Sequence, residues 1–175
     1  MLSSLLLPLL LSQSAPAGSP ADWEMRPKIE KLGRALTPLK TMLGQIQPGS
    51  WNVEGGAEAY VRQQKSCMAE LANVENVLAR WSARPDRLSL MLEALVRIGS
   101  LTQQSNSLAQ GMRRYSNPAM ADLLDSLLNS LSGDLEWLRS QALELAQQRE
   151  LELDVAQKEA QRCRTQILQP RPPRD

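Results

Sequence analysis

Apolar side chains recur along this chain in steps of four and three, the spacing of a helical stripe. Between residues 24 and 46 the stripe is Met25, Ile29, Leu32, Leu36, Leu39, Leu43 and Ile46. Pro27 suits a first turn, whereas Pro38 lacks the N–H that the helical ladder needs. The spacing therefore predicts two short helices, or one kinked at Thr37-Pro38. "QPGSWNVEGG", residues 47 to 56, holds a proline and three glycines and reads as a loop. From Ala57 to Ser82 the repeat sharpens into Tyr60, Gln64, Cys67, Leu71, Val74, Leu78 and Trp81, a bundle seam with Cys67 facing inward.

"SARPD" ends that helix, and Asp86 is the expected cap of the next, about Arg87 to Tyr115. Its inner line is Leu88, Met91, Leu92, Leu95, Ile98, Leu108 and Met112, interrupted by the polar run "TQQSNS". Serine and asparagine compete for backbone hydrogen bonds, so a weak turn or kink is expected there, with a polar site between helices as the sharper alternative. Asn117-Pro118 marks a fresh start, and Leu124, Leu127 and Leu131 form its inner face. Ser132-Gly133-Asp134 then offers a stop and a cap together. The last helix should run from Asp134 to about Leu168, with Ala142, Ala146, Arg149, Leu153, Ala156, Ala160, Cys163 and Ile167 on one stripe.

These elements make an all-α protein: an up-down bundle of three to four main helices, with a short kinked N-terminal helix and a long C-terminal one. Composition agrees, since leucine and alanine are the commonest residues, glutamine is plentiful and β-branched residues are scarce. The expected division is a leader over 1–17, an N-terminal helix and tryptophan-bearing loop over 18–56, the bundle over 57–168, and a disordered tail over 169–175. The leader rests on the apolar run Leu5 to Leu11, followed by Ala15-Pro16-Ala17, a signal-peptidase pattern that would leave Gly18 as the new terminus. Export to the periplasm or outside the cell follows from it. That run is far below the ~20 apolar residues a bilayer demands, so no transmembrane segment is expected.

The chemistry is narrowed by what the chain lacks. It has no histidine, hence no Ser-His-Asp or Cys-His unit and no imidazole metal ligand. Two cysteines cannot close a structural zinc site without carboxylate help. No cofactor is implied. A formal net charge of +1 gives no broad attraction for phosphate backbones, so nucleic acid is not an expected partner. Arg26, Lys28, Lys31 and Arg34 suggest a membrane-surface helix, but a solvated helix face explains them better.

Export makes a Cys67–Cys163 bridge the obvious pairing, and both residues fall on inward stripes. Helix lengths oppose it. In an up-down bundle with its corner between Trp81 and Arg87, the two sulfurs are separated by roughly 45 Å of rise at 1.5 Å per residue. A disulfide bridges Cα atoms only up to about 7 Å apart. Cys163 is then expected to fill space as a small apolar residue, with an interchain bridge as the next reading.

"QPGSWNVEGGAEAYV", "YSNPAMADLL" and "EAQRCR" resemble segments of predicted exported, mainly helical bacterial proteins of no assigned activity. The resemblance implies export and carries no catalytic or binding residue with it.

Two functions are open. One is a non-enzymatic protein that binds another protein or itself, since the last helix is longer than its neighbours can cover. Its candidate contact residues are Trp51, Arg149, Leu153 and Ile167, although Trp51 is more simply a ring folded back over the helix ends. The other is a carboxylate-based hydrolase of cell-wall glycans, for which Glu54, Glu58 and Glu70 lie near Trp51 and Tyr60 in sequence.

Overall fold

The computed structural model describes residues 22–54 and 56–168, so the expected leader and tail lie outside the described residues. Five α-helices follow one another: α1 (Asp22–Gln45), α2 (Glu58–Ala83), α3 (Leu88–Tyr115), α4 (Pro118–Ser130) and α5 (Ser132–Leu168). A single 3-10 turn, Pro48–Ser50, sits between α1 and α2. No strand occurs among the described residues.

Cross-helix contacts fix the directions. Lys40 of α1 bonds Glu75 of α2, Gln63 and Glu70 of α2 reach Gln104 and Arg97 of α3, and Arg113 of α3 bonds Asp122 and Asp125 of α4. Gln64 of α2 also reaches the Leu43 carbonyl of α1, so along α1 and α2, and along α2 and α3, residue numbers climb on one helix as they fall on the other and these neighbours run antiparallel. Lys31 of α1 pairs with Asp134 of α5 at 2.6 Å, and Lys28 stands over the Trp137 ring. These contacts close the circle as a four-position bundle: α1, α2, α3, and α4 stacked end to end with α5.

The α1 stripe is realised in full, with Met25, Ile29, Leu32, Leu36, Leu39, Leu43 and Ile46 all buried. α1 is one kinked helix of 24 residues through both Pro27 and Pro38, the second of the two expected arrangements. A stripe that loses one ladder bond at Pro38 is held by the apolar residues on either side of it. α1 shares its core with α2 to α5. Its terminal carbonyls are claimed from the next helix, where the Gln64 amide donates to the carbonyls of Leu43 and Ile46.

Several local readings change. Asp86 caps nothing; Arg87 is the cap residue of α3, with no side-chain bond. Pro85 instead turns its carbonyl to the buried Trp81 indole, 3.2 Å away. "TQQSNS" forms no turn, because α3 is continuous through it. Leu101, Ser105 and Leu108 fall in steps of four and three and are all buried, so tertiary packing overrides the weak local preference. Leu92, expected inside, is exposed. Asn117 caps α4 as expected, its side-chain oxygen accepting from the Ala119 and Met120 amides at 3.0 and 3.3 Å. The break after α4 is a single residue, Leu131, and α5 starts at Ser132 rather than Asp134, without reversing the chain.

Candidate functional site

Because α4 and α5 rise together beside a 28-residue α3, the bundle ends before α5 does. The last buried side chains of α5 are Ala142 and Leu145. From Arg149 through Ile167 every residue is exposed, a free helical shaft about 27 Å long at 1.5 Å per residue. Leu153 and Ile167 are 57% and 78% exposed, and among the described residues Arg149 is bound only to Glu152, one turn away at 2.7 Å. Three of the four candidate contact residues therefore lie together on the shaft.

Trp51 does not join them. It is buried, 5.1 Å centroid to centroid from Tyr60, which in turn meets Tyr115 at 5.7 Å. This aromatic stack seals the lower end of the bundle over Gly111, whose missing side chain makes room for the Tyr60 and Trp51 rings. The sequence reading of a ring folded back over the helix ends describes it well.

Both cysteines are free thiols. Cys67 is buried and Cys163 exposed, which corrects the inward placement of Cys163. Its stripe does continue the core-facing line, but the helices that would cover it have already ended. Cys163 lies about 27 Å beyond Leu145 while Cys67 lies about 21 Å below the Trp81 corner, so the chain cannot bridge them. Burial pushes the Cys67 thiol above its ordinary range, with the neighbouring Ser105 hydroxyl pulling weakly the other way. In native protein Cys163 should accept a thiol reagent within minutes, while Cys67 should react only as the bundle opens. Mass spectrometry after brief labelling checks this; equal labelling of both thiols would contradict the burial.

Ser105 itself is fully buried, and its hydroxyl makes no hydrogen bond of ordinary geometry. Ser105→Ala is accordingly expected to stabilise the fold by about 1 kcal/mol. Thermal melts should show a rise of about 2–4 °C.

A second surface feature was not legible in sequence. Between α2 and α3 a shallow pocket of about 500 Å³ is lined by Glu70, Ser89, Leu92, Glu93, Val96, Arg97 and Ser100. Arg97 bonds Glu93 at 3.1 Å and Glu70 at 3.5 Å, and Arg80 also contacts Glu93. The Arg97 hydrogen bond, helped by Arg80, holds the Glu93 carboxyl below its usual range. Arg97 thus lies between the two acids of the pocket, and Arg80 adds a second positive charge beside Glu93.

Two of the carboxylates considered for glycan hydrolysis, Glu58 and Glu70, do not form a dyad of the needed reach. Glu58 and Glu70 are about 18 Å apart along α2, against the roughly 5–10 Å that flanks a glycosidic bond. Among the described residues no cluster of three or more acidic, histidine or cysteine side chains could hold a metal ion. Nor is any described helix long and apolar enough to cross a membrane. No known protein family matches this chain, and neither does any curated protein or solved structure.

Proposed function

We propose that this is an exported, non-enzymatic helical protein that works by association, with another protein or with itself, through the shaft of α5. The observation that carries the reading is the length of α5: a helix of 37 residues of which the bundle covers less than half. Nineteen exposed residues are near the limit for an isolated helix in water, and a stripe of Leu153, Ala156, Ala160 and Ile167 offers a partner helix a seam. The compartment rests on the N-terminal pattern ending at Ala17.

The test uses the full chain and its Leu153→Asp/Ile167→Asp variant. Both positions are exposed, so the variant should keep the wild-type melting curve and lose association seen by light scattering or by retention of a purified exported partner. Equal behaviour of the two proteins would reject the shaft. Recovery of the protein from the exported fraction with Gly18 at its start would support the compartment, and full-length protein confined to the cytoplasm would reject it.

A further inference from the structure

Resting on that association reading, we infer that the occupant of the shaft is a second copy of this chain, bound antiparallel over residues 149–167. Direction comes first. At about 100° per residue, buried Leu135, Leu138, Ala142 and Leu145 fall within about 40° of one line, and so do Arg149, Leu153, Ala156, Ala160, Cys163 and Ile167. The seam that α1 to α3 fill lower down is thus left open above them. Whatever fills it must stand over the end of the bundle, on its axis. A parallel second copy would carry its own bundle into the volume that α1 to α3 already occupy. An antiparallel copy holds its bundle at the far end and meets no such obstacle.

Size and charge then select a register. Pairing Ala156 with Ala160 of the second copy lets the two backbones approach closely, since neither side chain holds them apart. The same register sets Leu153 against Cys163 of the second copy and lays the Arg149 stem over its Ile167. The end of one helix, at Leu168, comes level with Gln148 of the other, just clear of the last core residue. Glu150 comes opposite Arg164 of the second copy, and by symmetry the pair occurs twice; within the chain neither makes an ion pair among the described residues. Glu159 facing its own counterpart is the one like-charge contact. On the reverse face Leu151 and Val155 lie one turn apart and build no longer stripe. Two helices about 10 Å wide overlapping for about 27 Å cover on the order of 1,000 Å², the lower edge of specific interfaces, so a micromolar dimer is expected.

The experiment measures the dimer dissociation constant by sedimentation equilibrium for wild type, Glu150→Arg, Arg164→Glu and the double exchange. Each single reversal should weaken the dimer roughly tenfold and the double exchange restore it to within about threefold of wild type. Residues 150 and 164 are about 21 Å apart on one helix, so coupling between them can arise only across an antiparallel interface. A disulfide arm reads the register directly. In an oxidised glutathione buffer Leu153→Cys should crosslink through Cys163 of the second copy, while wild type, with its two Cys163 residues about 15 Å apart, should not. Crosslinking of wild type together with additive charge effects would overturn the antiparallel arrangement. A strictly monomeric chain whose shaft still retains a different partner would overturn the inference and leave the association reading standing. A monomer indifferent to Leu153→Asp/Ile167→Asp in every binding assay would overturn both.

Discussion

Trp81→Ala is expected to lower the melting temperature by roughly 10–15 °C, from a loss of about 3–5 kcal/mol. Trp81 is fully buried at the top of the bundle, where α2 ends. Its removal leaves a large cavity, and it also strips the Pro85 carbonyl of the indole N–H that satisfies it at 3.2 Å. The orphaned buried carbonyl accounts for about 1–3 kcal/mol of that loss, beside the transfer and cavity terms. Against a total stability of about 5–15 kcal/mol, that sum brings a small domain close to unfolding. Circular dichroism at 222 nm against temperature reads the effect. Trp81→Phe separates the two causes, because it keeps most of the volume and loses only the donor. A Trp81→Ala melt within a few degrees of wild type would mean that this corner does not hold the bundle's upper end.

The second large effect is at Gly111, on α3, where glycine serves packing rather than backbone freedom. A Cβ placed there meets the Tyr60 ring, with Cδ1 only 2.8 Å away, and Trp51 Cζ3 at 3.1 Å. Neither ring can easily move, since Trp51 is buried and Tyr60 is held between Trp51 and Tyr115. Gly111→Val is therefore expected to cost about 1–3 kcal/mol and to weaken the near-ultraviolet circular dichroism of the aromatic stack. Gly33 and Gly99 are also helical, but a Cβ at either meets nothing within 4 Å. Alanine at those positions should stabilise by about 1 kcal/mol, because glycine is a poor helix former. The contrast in sign among three helical glycines is the prediction. Destabilisation at all three, or at none, would refute the packing explanation.

Much of this architecture could be read from spacing alone. The α1 stripe and the α2 seam from Cys67 to Trp81 are buried as the four-three pattern requires, and Asn117-Pro118 starts a helix for the stated reason. Where local signals were read in isolation, they failed. The preferences of serine and asparagine disfavour helix over "TQQSNS", but Leu101, Ser105 and Leu108 share a face already committed to the core, and packing decides. Asp86 has the chemistry of a cap, yet the helix begins one residue later, where Pro85 has turned the chain to satisfy Trp81. The shaft is legible as surplus length, whereas the exposure of Cys163 is not legible from its stripe. A stripe records which way a side chain points and not whether a neighbouring helix reaches that height. The charged pocket between α2 and α3 left no sequence trace, because Glu70, Glu93 and Arg97 converge from two helices.

The anchoring of α5 also changes what its outer half needs in order to exist. Starting a helix is the expensive step, since several residues must be fixed for the first ladder bond, whereas each later residue adds a bond of its own. Leu135, Leu138, Ala142 and Leu145 have already been ordered by the bundle. The outer turns thus grow from a ready template, and fraying proceeds inward from the free tip instead of by melting at the base.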